Sequence, residues 1–156
     1  MIAVLQDIRS IHNVGSIFRT AEGAGFEKMY LCGITPSPVD ELGHSRRPFA
    51  KVSLGAERFL LWEKVKHTEK LLRALKNQGY RIFAVEQHKN AKLYSSFHLS
   101  KAARKKIVLV VGHERQGVSR AILKLADEIL EIPMRGKKES LNVAVAFGIA
   151  AYHLTQ

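Results

Sequence analysis

Two polar side chains that could bind a ligand lie at the entrance to the most hydrophobic stretch of the chain. Ser140 and Asn142 stand in the segment KESLNVAVAF, directly after the basic loop RGKK. A hydroxyl or amide oxygen at the start of an apolar segment can cap the N-terminus of a helix. The same groups can bind a ligand when the segment follows a strand of an α/β sheet. For Ser140 the residue types leave both interpretations open.

A second group of polar residues follows an earlier apolar run, in the segment IVLVVGHERQGVS. Gly112, Glu114 and Gly117 come directly after the predicted strand 107–111. In open α/β sheets, ligands bind at the carboxyl ends of strands, where glycines let the backbone approach and free N–H groups meet polar atoms. Loops 112–119 and 132–142 are therefore the candidate ligand-binding loops, although a tight turn without a ligand would use the same glycines.

The N-terminal segment HNVGSIFRTAEGAGF predicts a helix with one unusual face. Its apolar residues recur at helical spacing, which indicates a buried stripe, and Asn13 is the predicted N-cap. The other face carries Gly15, Arg19 and Gly23, where a surface helix normally has long charged side chains. Each glycine costs a helix up to about 1 kcal/mol relative to alanine. We therefore expect another backbone or a ligand to lie against this face.

The order of the elements predicts an α/β fold with a mostly parallel sheet flanked by helices. Strand and helix patterns alternate along the chain, and the strands are apolar throughout, as in sheets covered on both faces. Residues 35–59 are predicted to form a long connection punctuated by Pro and Gly. A length of 156 residues fits a single domain, residues 1–156.

The final helical segment, from about Leu141 to Leu154, is apolar nearly all the way round. A helix without a polar face must be buried on most of its sides. At the end of so small a domain, this pattern predicts contact with a second subunit as well as with the sheet. We therefore expect a homodimer.

The charge of the chain indicates a polyanionic partner. There are 25 Lys and Arg against 14 Asp and Glu, a formal net charge of +11. Such a surface attracts nucleic acid, although a basic protein without that partner has the same composition. The long connection carries Arg46, Arg47 and Lys51, which either meet phosphate or are merely solvated.

Several familiar chemistries lack their sequence signatures. The seven His residues show no metal-ligand pairing, and the motifs HExxH, CxxC, GxSxG and GxxxxGK[ST] do not occur. We therefore predict no metal site. The single cysteine, Cys32, excludes an intramolecular disulfide and is natural in a cytoplasmic protein. No apolar run is long enough to span a bilayer, so no membrane partner is expected.

Three segments together carry a family resemblance. In chain order, HNVGSIFRTAEGAGF, VVGHERQGVS and IPMRGKKESLNVAVAFGIAAY resemble the three motifs of the SpoU (TrmH-like) RNA 2′-O-ribose methyltransferases of the SPOUT superfamily. The resemblance covers essentially the whole chain, and the third motif is the most diagnostic. It implies a C-terminal trefoil knot that binds S-adenosylmethionine. It also implies a homodimer in which each active site uses both subunits, and a domain without the additional RNA-binding domain of many relatives.

The resemblance also implies roles for individual residues. The implied catalytic residues are Arg19, Asn13, Ser140, Asn142 and Glu114. The implied cofactor-binding residues are Val85, Glu86, Gly112, Glu114, Ile132, Met134, Ser140, Leu141 and Asn142. Together with the charge pattern, it assigns RNA binding to Arg19, Arg46, Arg47, Lys51, Arg135, Lys137 and Lys138.

The implied reaction transfers a methyl group from a sulfonium to a ribose 2′-hydroxyl of tRNA or rRNA, in one displacement that depends on positioning. A guanidinium resists deprotonation, so we expect Arg19 to bind phosphate or stabilise the alkoxide, and the base stays unassigned. The second motif departs from the family pattern at His113, Arg115 and Gln116. Target choice would depend on the basic surface or on a helper protein.

Two other functions are weighed against this one. The first is a module of the same fold that binds RNA without methylating it; the motif residues that are present disfavour it. The second is a nicotinamide-dependent enzyme, which would need a GxGxxG segment after the first strand, and the chain has none there.

Overall fold

Seven strands and six helices make up the computed structural model, which describes residues 1–156. The strands are β1 (Ile2–Gln6), β2 (Lys28–Cys32), β3 (Leu61–Val65), β4 (Arg81–Val85), β5 (Lys92–Leu93), β6 (Ile107–Val111) and β7 (Glu128–Glu131). The helices are α1 (Ile11–Gly23), α2 (Arg47–Ser53), α3 (Thr68–Asn77), α4 (Lys101–Arg104), α5 (Arg120–Leu123) and α6 (Val143–Thr155). All strands pair in parallel in one sheet, in the order β3-β2-β1-β6-β4-β7-β5.

The two most apolar strands occupy the middle of the sheet. β1 and β6 are buried along their whole length and pair with each other, with Ile2 opposite Val108 and Leu5 opposite Val111. A strand that is covered on both faces needs apolar side chains at nearly every position, and both strands supply them. Alternate side chains of these strands enter two separate hydrophobic cores, one on each face of the sheet.

Helices cover both faces of the sheet. α1, α2 and α6 contribute to one core, and α3 and α5 contribute to the other. α1 and α6 pack against each other, although they are the first and last helices of the chain. They run parallel, because Asn13 meets Asn142 at their N-terminal ends and Gly23 meets Tyr152 at their C-terminal ends. The predicted α/β fold with a parallel sheet flanked by helices is confirmed.

The prediction of a long connection over residues 35–59 is wrong in part. α2 lies within it, anchored by the buried Phe49, which packs edge-on against Phe18 at a ring-centroid distance of 5.1 Å. Helix α2 ends at Leu54, whose φ of 51° is left-handed. The helix has only seven residues, too few to show a clear apolar period, so tertiary packing rather than sequence pattern defines it.

Two predicted helix starts are corrected by the structure. α1 begins at Ile11 and its N-cap is Ser10, whose Oγ accepts a hydrogen bond from the Asn13 N–H at 3.3 Å, so Asn13 is not the cap. α6 begins at Val143 and its N-cap is Asn142, whose Oδ1 accepts from the Ala144 N–H at 2.8 Å. Ser140 therefore does not cap this helix.

Helix α6 leaves part of its apolar surface exposed in the single chain. Val145 and Tyr152 keep 50% and 47% of their surface exposed, whereas Phe147, Ala150 and Ala151 are fully buried. The apolar helix therefore has two faces, one that packs against the sheet and one that is exposed in the single chain. None of the helices has both the length and the hydropathy that a bilayer crossing requires.

Candidate functional site

A pocket lies at the carboxyl edge of the sheet, beyond β4, β6 and β7. Because parallel strands end at the same edge, the segments that follow these three strands meet there. Its lining is half apolar and half polar, and it consists of Val85, Glu86, Gln87, Val111, Gly112, His113, Glu114, Gly117, Leu130, Ile132, Met134, Ser140, Leu141, Val143 and Ala146. Every residue that the sequence marks as cofactor-binding is part of this lining except Asn142.

A chain of hydrogen bonds next to the pocket joins the three motif segments. The Asn13 Nδ2 donates to Glu114 Oε1 at 3.1 Å, and the Asn142 Nδ2 donates to Asn13 Oδ1 at 3.1 Å. A carboxylate only accepts hydrogen bonds, so the amide of Asn13 must turn its NH₂ group toward Glu114. Its oxygen then faces the NH₂ group of Asn142, and the oxygen of Asn142 caps α6.

The carboxylate of Glu114 also holds the start of α1. Its Oε2 accepts from the Arg9 N–H at 3.0 Å, and its Oε1 accepts from the Ser10 N–H at 2.9 Å. These donors precede the first turn of the helix, where unpaired N–H groups favour a negative charge. Partial burial opposes ionisation, but the donors from Arg9, Ser10 and Asn13 outweigh it, and the pKa of Glu114 lies below its ordinary value. Glu114 is therefore an ionised anchor.

The carboxylate of Glu86 holds loop 112–119. Its Oε2 accepts from the Val118 N–H at 2.7 Å, and its Oε1 accepts from the Gln87 N–H at 2.9 Å. Gly117 has a φ of 68°, and a Cβ atom at this position would collide with Glu86 Oε2. A Cβ at Gly112 would likewise collide with the backbone of Gly117. Glycine is therefore required twice where this loop closes.

The side chain of His113 shapes the turn at the tip of the same loop. Its Nδ1 accepts from the Arg115 N–H at 3.0 Å and from the Gln116 N–H at 3.3 Å. Since Nδ1 accepts, the neutral imidazole carries its proton on Nε2. The backbones of His113 and Gly117 form two hydrogen bonds, because the N–H of each residue donates to the carbonyl of the other. His113, which departs from the family motif, therefore stabilises the local turn. The two other departures, Arg115 and Gln116, do not line the pocket.

The structure does not bring all predicted site residues together. Arg19 is exposed on α1, makes no side-chain hydrogen bond or ion pair, and is absent from the pocket lining. The Nε of Arg46 donates to Val39 O at 3.1 Å within its own loop. The other predicted RNA-binding residues are exposed on α2 and on loop 132–142, namely Arg47, Lys51, Arg135, Lys137 and Lys138.

Several residues of the site were not identified from the sequence. Arg9 and Ser10 act through backbone N–H groups, for which residue type gives no signal. Gln87 lines the pocket and lies directly after Glu86 at the end of β4, so its position beside a predicted site residue was the available signal. Leu130 lines it from the buried end of β7.

Comparison with known proteins assigns the family. Residues 1–152 match the model of the SpoU rRNA Methylase family. The chain belongs to this family. Across 152 residues it is 31% identical to a tRNA (guanosine(18)-2′-O)-methyltransferase of Aquifex aeolicus, covering 97% of this chain and 67% of the relative. The chain spans about half the length of other curated relatives that it matches, since the match covers 51% of each of these relatives.

Two solved structures illustrate the similarity of the fold. An AdoMet-bound rRNA methyltransferase from Sinorhizobium meliloti is 25% identical with a TM-score of 0.85, over 98% of this chain and 54% of that one. A second structure, described as giving insights into the 2-OH methylation of C/U34 on tRNA, is 26% identical with a TM-score of 0.79. The match covers 98% of this chain and 92% of the other, so the two chains are similar in length.

Proposed function

We propose that this SpoU family protein transfers a methyl group from S-adenosylmethionine to a ribose 2′-hydroxyl of RNA. The observation that carries the proposal is the hydrogen-bond chain from Glu114 through Asn13 to Asn142, which joins all three motif segments beside one pocket. The names of the relatives support the reaction, because the Aquifex aeolicus protein is a tRNA 2′-O-methyltransferase. The tRNA enzyme of similar size also supports it.

The pocket suits the proposed cofactor in its chemistry. Val85, Leu130 and Ile132 offer an apolar surface to a flat purine ring, and the backbone of the glycine-containing loop 112–117 offers polar groups. When bound, S-adenosylmethionine supplies a methyl group on a positively charged sulfur, which the ribose oxygen accepts as its hydroxyl proton leaves. The relative that is described as AdoMet-bound supports this choice.

We assign separate roles to the polar residues around the pocket. Glu114 is held by three donors and has a lowered pKa, so it is suited to holding Asn13 in place and unsuited to accepting the ribose proton. Ser140 lines the pocket and does not cap α6, so its hydroxyl can bind the ligand or the substrate. The guanidinium of Arg19 binds the phosphate next to the target ribose or stabilises the alkoxide.

RNA is the proposed partner, and its backbone would follow the exposed basic residues. Arg47 and Lys51 lie on α2, and Lys137 and Lys138 lie on the loop that lines the pocket. Lysine and arginine side chains of this kind bind phosphates without reading sequence. Choice of the target nucleotide would then use the shape of the RNA or a helper protein. The enzyme of similar size that acts on tRNA favours tRNA over rRNA.

The proposal includes a homodimer, a trefoil knot and a cytoplasmic setting. Arg19 lies on the exposed face of α1, away from the pocket of its own chain, and the neighbouring α6 exposes Val145 and Tyr152. Pairing through these faces would bury the apolar side chains and bring Arg19 to a site that both subunits share. The knot is part of the proposal because the third motif segment resembles that of the knotted SpoU family. The single cysteine, Cys32, is free and buried, which fits the reducing conditions of the cytoplasm.

The test is methylation of total RNA from a strain that lacks this protein, with purified protein and cofactor labelled in the methyl group. We expect label in a single 2′-O-methylated ribose, which alkaline hydrolysis and mass spectrometry locate. Arg19→Ala should abolish transfer, whereas Arg73→Ala, an exposed change on α3, should not. RNA binding without any labelled ribose would instead support the RNA-binding module.

A further inference from the structure

The dipeptide Glu86–Gln87 contacts both loops that close the pocket. Glu86 reaches loop 112–119 through the Val118 N–H at 2.7 Å. The neighbouring Gln87 points the other way, and its Nε2 donates to the backbone oxygen of Glu139 in loop 132–142. The end of β4 therefore lies between the two loops and is bonded to each of them.

The bond from Gln87 has no substitute within its loop. Residues 132–141 make no backbone hydrogen bond, and the Gln87–Glu139 bond is the one side-chain hydrogen bond that involves them. Four of these residues are charged, and most are exposed. Ordering an exposed segment of ten residues without regular structure costs considerable conformational entropy. A single hydrogen bond from the end of a strand therefore has a strong effect on the position of this loop.

The same loop supplies a large part of the pocket wall. Ile132, Met134, Ser140 and Leu141 all line it, and Glu139 directly precedes two of these residues. If the loop moved away, the pocket would lose both apolar contacts and the Ser140 hydroxyl. Glu114, Asn13 and Asn142 would keep their bonds, because Asn142 is fixed separately by Asn13 and by α6.

We propose that Gln87 is a positioning residue that holds loop 132–142 over the pocket before a ligand binds. The inference rests on the proposed function for the identity of the ligand. Gln87 acts through the Glu139 carbonyl and not on the reacting atoms. Its loss therefore raises the KM for S-adenosylmethionine and leaves kcat nearly unchanged, because a loop that has closed on the ligand presents the same groups.

The test compares three variants of the full chain. Gln87→Met keeps the length of the side chain and removes the donor, Gln87→Lys restores a donor, and Gln78→Met is a matched change at an exposed glutamine after α3. Each is assayed for KM and kcat, and for the rate of trypsin cleavage after Arg135, Lys137 and Lys138 without ligand. We expect Gln87→Met to raise KM about fivefold, the loss of one hydrogen bond, and to speed this cleavage. Gln87→Lys should recover both, and Gln78→Met should match the wild type.

Two outcomes would overturn the inference. One is a Gln87→Met variant with the KM and the loop cleavage rate of the wild type. The other is a fall in kcat at unchanged KM, which would place Gln87 at the reacting atoms. If the wild type transfers no methyl group, the proposed function fails by itself. Trypsin cleavage of the loop, which needs no activity, then decides the inference: faster cleavage in Gln87→Met supports it, and equal cleavage overturns it.

Discussion

Asn13 and Glu114 lie 101 residues apart in the chain, and the Asn13 amide donates to the Glu114 carboxylate at 3.1 Å. The bond attaches the first helix to the loop after β6, and Asn142 extends it to the last helix at 3.1 Å. Both helices therefore begin at one point beside the pocket. Their positions depend on each other, because the orientation of each amide dictates the orientation of the next.

Replacing the anchor should destabilise the fold. Glu114→Gln keeps the shape but turns one acceptor into an NH₂ group, which must face the N–H groups of Arg9 or Ser10. We expect the free energy of unfolding to fall by about 1–2 kcal/mol, as for the loss of a charged acceptor at a helix start. Urea unfolding measures it, with Glu41→Gln, an exposed carboxylate outside the site, as the control. Equal losses in both variants would contradict the anchoring role.

The same carboxylate should make stability depend on pH in the acid range. The pKa of Glu114 is lowered in the folded chain from its ordinary value of 4.5, so the unfolded chain takes up this proton first as the pH falls. The stabilisation is complete above pH 4.5 and is lost as the pH falls through the folded pKa. Urea midpoints between pH 6 and 3 measure this. In Glu114→Gln the urea midpoint should depend less on pH. If its slope against pH equals that of the wild type, ionised Glu114 is not the source of the dependence.

A second carboxylate beside the first should be poorly tolerated. Asn13→Asp replaces the donor that faces Glu114 by a carboxylate oxygen, whereas its other oxygen can still accept from the Asn142 amide. Two neighbouring carboxylates repel, so we expect greater destabilisation than in Asn13→Ala at pH 8. Acid should relieve the difference, because protonating one carboxyl restores a donor. Thermal unfolding of both variants at pH 8 and pH 5 checks the prediction, and a difference that persists at pH 5 would count against it.

Adding a side chain at Gly117 should destabilise loop 112–119. Gly117→Ala places a Cβ against Glu86 Oε2 in a backbone with a φ of 68°. The left-handed conformation alone costs alanine roughly 1–2 kcal/mol, and the collision adds to it. Gly136→Ala is the control, because nothing lies within 4 Å of its Cβ position. Urea unfolding should show a loss for the first variant and little change for the second.

The exposed apolar face of α6 should be needed for the proposed homodimer. Val145 and Tyr152 are half exposed in the single chain, so charged replacements there should leave the fold intact. We expect sedimentation of the wild type at the mass of a dimer and of Val145→Glu with Tyr152→Glu at half that mass. Leu42→Glu, at a residue with 81% exposure elsewhere, should stay dimeric. A wild type that sediments as a monomer would remove the homodimer from the proposal.

The general location of the site could be predicted from local sequence features. Gly112 and Gly117 follow an apolar run, and Ser140 follows another, so both loops could be assigned to strand ends. All three line the pocket in the structure. The physical reason is that strand burial and turn formation depend on neighbouring residues, whose types are visible in the sequence.

The partners of the polar side chains were decided by the tertiary structure. Ser10, Asn13, Ser140 and Asn142 are all residue types that cap helices, and their types do not distinguish which of them do so. Ser10 and Asn142 cap because Glu114, distant in sequence, binds the backbone before α1 and turns the amide of Asn13 toward itself.

The sequence by itself therefore determined the parallel α/β sheet, the two pocket loops and the family resemblance, because these follow from apolar patterns and from glycine and motif spacing along the chain. Only the tertiary structure decided that Glu114 is an anchor, that Asn13 is a bridge and that Gln87 bonds to Glu139. Each of these bonds joins segments more than 50 residues apart, with sequence separations of 101 and 52. A side chain forms such bonds only after the folded sheet has placed its partner within reach.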